Sequence, residues 1–307
     1  MIAIVGPTGI GKTALAVTLG KELSGEVVSA DSRQIYRYMD IGTAKPTAQE
    51  RAAIPHHLID IVDPDQTLTM AEYHRLAYAA IDDIHRRGKI AFLVGGTGQY
   101  VTALLEGWQA PEVAPNETLR AELEAYVAEH GAEALFERLR AVDPESAARM
   151  DPYNARRTIR ALEVCIVTGQ PFSTLRRKVP PPWQVLELGL TMDSETLYTR
   201  LYERVDRMMA DGLLDEVRGL HERGYDWRLP SMSGLGYAQL GVYLRSAATL
   251  DEAVATFKRD TRTFVRRQYT WFRRHGTPQW LETPSPDVVR QRIENWLLTL
   301  STHGFTG

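Results

Sequence analysis

Eight residues near the amino terminus constrain this chain more than any other feature: Gly6-Pro7-Thr8-Gly9-Ile10-Gly11-Lys12-Thr13. They match G-x-x-x-x-G-K-[ST], a pattern whose fixed positions recur by chance in about one in a hundred chains of this length. An apolar run, Ile2–Val5, precedes the motif, and Leu15, Leu19 and Leu23 follow it at helical spacing. Strand, glycine-rich turn and helix in that order curl successive backbone N–H groups around an anion at a helix N-terminus. Lys12 adds a full positive charge and Thr13 a hydroxyl suited to a magnesium ion. The residues Gly6, Pro7, Thr8, Gly9, Ile10, Gly11, Lys12 and Thr13 are therefore expected to hold a phosphate compound. The motif alone leaves ATPases, kinases and other transferases open.

Such a turn needs a sheet to carry it. Val27–Ala30, Leu58–Val62 and Ile90–Val94 read as further short buried strands, and Met70–Arg87 as a helix closed by Gly88. Buried strands separated by helices predict a parallel sheet covered on both faces. After Gly107 the pattern becomes helical, with Asn116, Asp143 and Asp151 as predicted N-caps, the last two followed by proline. Pro180-Pro181-Pro182 interrupts the chain. Val185–Leu190 then reads as a returning strand, Asp193 as the cap of a helix over Glu195–Ala210, and Leu213–Arg223 as a second helix. The expected fold class is α/β: a P-loop NTPase-like parallel sheet covered by helices, with a helical insertion. Residues 1–110 and 183–307 are the expected catalytic core with its C-terminal helices, and residues 111–182 the insertion.

Composition removes several classes. At 44% hydrophobic and 24% charged, the 307 residues are neither disordered nor collagen-like. The single cysteine, Cys165, cannot form an intrachain disulfide and excludes a thiolate zinc site; within the apolar run Leu162–Val167 its plain reading is a small buried side chain. No stretch of about 18 apolar residues predicts a membrane helix, and a monomeric cytoplasmic protein is expected. The net charge is −3, but residues 258–275 alone carry +6, from Lys258, Arg259, Arg262, Arg266, Arg267, Arg273 and Arg274 against Asp260. A local basic segment on an otherwise acidic chain suits a polyanion, although a charge run is more often a solvated face.

Two further residues fall at ends of predicted strands. Asp31 follows Val27–Ala30, and Thr97 lies in Gly95-Gly96-Thr97-Gly98 after Ile90–Val94. In a parallel sheet the strand C-termini share one edge, so both should face the P-loop crevice. A carboxylate there can take a proton or hold magnesium through water, or it can merely cap a turn. The glycines around Thr97 suggest close approach of a ligand to the backbone. The strand Ile90–Val94 ends in glycines rather than in the aspartate with which many P-loop NTPases hold magnesium, which weakens a plain ATPase reading.

Several strings together carry a more specific signal. The P-loop, Ser29-Ala30-Asp31-Ser32-Arg33-Gln34-Ile35-Tyr36, Met39-Asp40-Ile41-Gly42-Thr43-Ala44-Lys45-Pro46 and Val94-Gly95-Gly96-Thr97-Gly98-Gln99-Tyr100 resemble the tRNA dimethylallyltransferases, or tRNA isopentenyltransferases, in their compact bacterial form. Arg160-Ala161-Leu162-Glu163-Val164, the run Arg200–Arg204, Gly234-Leu235-Gly236-Tyr237 and Arg266-Arg267-Gln268-Tyr269-Thr270-Trp271-Phe272 agree with it, so the likeness spans almost the whole chain in order. The resemblance implies a reaction in which dimethylallyl diphosphate prenylates the exocyclic amine of the adenosine 3′ of the anticodon, in tRNAs reading codons that begin with U. It also implies magnesium dependence. It implies Asp31 as general base, Thr97 orienting the amine, and Arg204 joining the P-loop on the diphosphate. Contacts to the tRNA anticodon stem-loop are implied for Asp31, Ser32, Arg33, Gln34, Thr97, Arg120, Arg156, Arg157, Arg160, Arg266, Arg267 and Gln268. A small-molecule or nucleotide kinase shares the P-loop and the aspartate position, but does not account for the Thr97 string or the basic C-terminal segment.

Overall fold

The computed structural model describes residues 1–109, 111 and 113–302. Among the described residues there are eight strands: β1 (Ile2–Val5), β2 (Gly25–Ser29), β3 (His56–His57), β4 (Ile90–Gly95), β5 (Trp108–Gln109), β6 (Arg177–Lys178), β7 (Leu186–Thr191) and β8 (Gln279–Glu282). Six of them form one sheet in the order β3-β2-β4-β1-β7-β8, with every pairing parallel. Alternation along the central strand shows why it is apolar throughout: Ile2 and Ile4 enter one core, Met1, Ala3 and Val5 another. β4 divides in the same way, Phe92 and Val94 from Ala91 and Leu93. A strand buried on both faces has no polar side to present.

By its contacts the chain falls into two compact units, Met1–Leu105 with the residues from Pro181 onward, and Glu106–Pro180. The second unit starts at Glu106 rather than at the expected 111. Its ends are tied to each other by the antiparallel ribbon β5–β6 and by the Val179 N–H donating to the Gly107 carbonyl (2.9 Å). Its core is its own, built on Leu123, Leu135, Phe136, Leu139 and Leu162. Asn116 caps the helix Glu117–His130, and Asp143 caps Pro144–Ala147. Asp151, expected as a third cap, accepts instead from the Tyr153 N–H (3.0 Å) in a turn, and Asn154 caps the helix Ala155–Thr168.

In the first unit, Thr69 and Glu72 form a capping box at the start of the helix Met70–Arg86. Asp193 caps Ser194–Ala210, and Leu213–Glu222 follows. The expected strand Leu58–Val62 is absent. Leu58 and Asp60 take φ of 64° and 58°, a left-handed backbone that no strand tolerates, and pairing shortens to His56–His57. The basic C-terminal segment belongs to a 25-residue helix, Leu250–Arg274, begun by a Thr249–Glu252 capping box. Its buried stripe is Ala253, Phe257, Thr261, Val265, Gln268 and Phe272, steps of three and four that keep one face inward. Among the described residues no helix is long and apolar enough to cross a membrane.

Candidate active site

Three strand ends converge. β1 leads into the P-loop, β2 into Asp31 and β4 into Gly96-Thr97, and β4 lies hydrogen-bonded between the other two. Gly6, Gly9 and Gly11 have φ of 142°, 80° and 99°, which turn the P-loop back onto the helix Lys12–Glu22. At Gly6 a Cβ would also meet the Leu190 carbonyl oxygen at 2.7 Å. Ile10 sends its side chain into the core, so only its backbone is available to a ligand.

A cavity of about 490 Å³ opens over this edge. Thr8, Lys12, Asp31, Thr97, Arg204 and Arg267 are among its lining residues. The Lys12 ammonium donates to the Gly6 and Pro7 carbonyls (2.9 and 2.8 Å). Burial strips it of water and lowers its pKa to about 7; Asp31 opposes that fall and Arg204 adds to it. Burial lowers the Arg204 pKa as well, again against the pull of Asp31. Two half-buried cations thus share the field of one carboxylate, and an added anion relieves the imbalance.

Asp31 Oδ1 accepts from the Arg33 N–H (2.8 Å). Thr97 Oγ1 accepts from the Ser32 N–H (2.9 Å) and donates to Ser32 Oγ (3.2 Å), so the hydroxyl holds the segment that carries Asp31. Behind it, Tyr73 and Tyr100 stack with ring centroids 3.8 Å apart. Burial drives both phenols up, Tyr100 to about 12, so they stay neutral beside Asp31. The Thr13 hydroxyl makes no hydrogen bond among the described residues. No cluster of three or more His, Cys, Asp or Glu among them could hold a metal ion. An ion here would therefore need ligand oxygens beside Thr13 and Asp31.

Residues 34–275 match the model of the IPP transferase family. The chain belongs to that family. It is 56% identical over 294 residues to the tRNA dimethylallyltransferase of Roseiflexus castenholzii, with 96% of each chain covered. The full-length tRNA isopentenylpyrophosphate transferase of Bacillus halodurans superposes with a TM-score of 0.72 at 42% identity, covering 97% of this chain and 95% of that one. A eukaryotic dimethylallyltransferase captured acting on tRNA gives 0.80 at 29% identity, covering 93% and 74%.

Against that family background, the residues expected to touch RNA separate into two groups. Arg156, Arg157, Arg266 and Arg267 are exposed, and none of them forms an ion pair among the described residues. Arg266 Nε donates to the Tyr198 hydroxyl (3.3 Å), while Arg262 stacks over the Tyr198 ring at 4.3 Å. The others are occupied within the chain. Arg120 and Arg160 grip Glu163, whose side chain is wholly buried. Burial pushes that carboxyl up, but Arg120, the Asn116 N–H and Arg160 outweigh it and hold its pKa below the usual range. Arg33 donates to the Pro230 carbonyl (2.6 Å) and to Ser233 Oγ (3.2 Å). The Gln34 amide donates to the Ala44 carbonyl (3.2 Å) and accepts from Ser29 Oγ (3.1 Å). Gln268 is 6% exposed, and both ends of its amide are bonded inside the chain.

The glycines beside Thr97 also have a different cause from the one expected. A Cβ at Gly95 would lie 2.1 Å from the Ala30 carbonyl oxygen, at Gly96 2.4 Å from Gln268 Nε2, and at Gly98 2.1 Å from Trp271 Cδ1. They admit the Ala30 carbonyl and the helix Leu250–Arg274, and Gly96 and Gly98 also line the cavity. Sequence reasoning missed Glu216, which accepts from the N–H groups of Asp40 (2.8 Å), Ile41 (2.8 Å) and Gly42 (3.1 Å) and from the Tyr237 hydroxyl (2.5 Å). That carboxylate fixes the loop bearing Gly42 and Thr43, two cavity residues. Its three backbone partners lie over 170 positions away, so no local pattern marks it.

Proposed function

We propose that this chain transfers the dimethylallyl group of dimethylallyl diphosphate to the exocyclic amine of the adenosine 3′ of the anticodon, in tRNAs that read codons beginning with U. The observation that carries the reading is the pairing of a carboxylate with two cations of lowered pKa in one cavity, in a chain whose relatives bear the name tRNA dimethylallyltransferase. A purine amine is a weak nucleophile, its lone pair delocalised into the ring. It needs a departing group that leaves easily and a base.

Lys12, Arg204 and the free P-loop amides bind the diphosphate and stabilise the charge that grows on it as the allylic C–O bond breaks. The bonding pair leaves with diphosphate, the amine nitrogen forms the new C–N bond, and its proton passes to Asp31. The Arg33 N–H fixes one Asp31 oxygen and leaves the other to take that proton. Thr97 keeps Asp31 in register through Ser32 and has an acceptor lone pair left for an amine hydrogen. Thr13 would hold magnesium, which when bound adds charge neutralisation on the diphosphate. The adenosine must leave its stack to reach this cavity. Arg267, which lines the cavity, and the exposed Arg266 beside it, with Arg156 and Arg157 on the helical unit, are proposed to hold phosphates of the RNA.

The test is incubation with unmodified tRNA and radiolabelled dimethylallyl diphosphate in the absence of ATP. Label entering the RNA supports the transferase. No label in RNA, together with phosphate moving to a small molecule in a parallel incubation with ATP, would establish a kinase instead.

A further inference from the structure

Gln268 occupies a place that neither RNA binding nor diphosphate binding accounts for. It sits on the buried stripe of the helix Leu250–Arg274, directly after the exposed Arg266 and Arg267. Its side-chain oxygen accepts from the Thr8 N–H of the P-loop (2.9 Å), and its side-chain nitrogen donates to the Gly96 carbonyl (2.8 Å) next to Thr97. One amide therefore joins the loop that holds the leaving group to the loop that holds the nucleophile's partners. The Thr8 N–H is already committed to Gln268 and Pro7 has no N–H, so the loop amides from Gly9 onward are the ones left for diphosphate. Packing leaves no slack: Gly96 is pressed against the same amide, and Trp271, one turn on, donates to Thr102 Oγ1 (2.9 Å) on the helix that follows Thr97.

We propose that Gln268 is a positioning residue that sets the spacing between the P-loop and the Asp31–Thr97 edge, and that it couples tRNA docking on Arg266 and Arg267 to alignment of the reacting atoms. The coupling runs through a rigid element: the same helix turn carries both arginines outward and the amide inward. Misplacing reactants by about 1 Å can cost on the order of a hundredfold in rate, so a brace at this point acts on turnover rather than on affinity.

The proposal rests on the transferase reading, and the experiment keeps the two apart. Gln268→Met retains length and apolar contact but loses both hydrogen bonds. Gln268→Glu retains an acceptor for Thr8 and loses the donor to Gly96. In single-turnover transfer at saturating donor and tRNA, Gln268→Met is expected to slow about 10- to 100-fold, with tRNA affinity within about threefold and faster hydrogen exchange at the Thr8 amide. Gln268→Glu should also slow transfer while leaving Thr8 protected, and it carries the test if the methionine variant does not fold. Wild-type rate and wild-type Thr8 protection in Gln268→Met would overturn the proposal. So would a rate loss matched by an equal loss of tRNA affinity, which would make Gln268 an RNA contact. Absence of transfer by the unmutated protein would sink the transferase reading instead, and Thr8 exchange would still decide the brace.

Discussion

Binding of a diphosphate should draw a proton out of solution, because burial lowers the Lys12 pKa to about 7. A buried ammonium without a counter-charge is disfavoured, and an arriving polyanion reverses that balance by restoring the pKa towards the ordinary lysine value of about 10.4. The sign follows directly. The free group is lowered and the bound group raised, so affinity is greatest below about pH 7 and weakens as pH rises through it, by up to about tenfold per unit. At pH 8 mass action leaves Lys12 about nine-tenths deprotonated, so binding should take up about 0.9 proton at this residue, against about 0.1 at pH 6. Diphosphate titrates too, and Lys12→Arg supplies the correction because a guanidinium stays charged throughout. Calorimetry with inorganic diphosphate in two buffers of different ionisation enthalpy gives the uptake for each protein. The wild-type value minus the arginine value should rise from near zero at pH 6 to nearly one proton at pH 8. A difference that stays flat with pH would refute the claim that the cavity strips Lys12 of water.

Asp31→Asn should reduce single-turnover transfer at least a hundredfold, in line with loss of a general base, while tRNA affinity measured by filter binding stays within a few-fold; loss of RNA binding with intact chemistry would move Asp31 to recognition. Arg267→Ala should weaken tRNA binding and flatten the plot of log affinity against log salt by about one phosphate contact, and an unchanged slope would place that guanidinium off the RNA. Gly95→Ala should cost about 3 kcal/mol in urea unfolding, because the new methyl would press on the Ala30 carbonyl, a backbone atom that cannot swing away; an unaltered midpoint would show that β2 and β4 can separate there.

How much of this could be read in the sequence depended on whether the deciding partner was near in the chain. The P-loop, Asp31 and Thr97 were legible because buried parallel strands put their C-termini on one edge whatever else the chain does. Leu58–Val62 was not. Its apolar residues look strand-forming, but Leu58 and Asp60 turn left-handed so that the Ile61 N–H can reach the Ile35 carbonyl (2.8 Å). The family resemblance implies Gln268 as an RNA contact, and the structure buries it with both ends of its amide bonded inside the chain. Its own spacing, three after Val265 and four before Phe272, put it on the inward face, and helical periodicity was the better guide. Arg160, implied as an RNA contact by the resemblance, has its buried partner Glu163 three residues on, a spacing that a helix brings together. Distant partners such as Glu216 for residues 40–42 leave no local trace.

The central claim is that the P-loop holds a prenyl diphosphate while its allylic C–O bond breaks. The most direct measurement is the single-turnover rate of label transfer by Lys12→Ala at saturating donor and tRNA. The account predicts a fall of about 10²–10³, the scale for losing one preorganised donor to a developing anion. Prenylation by that variant at the unmutated protein's rate would contradict it.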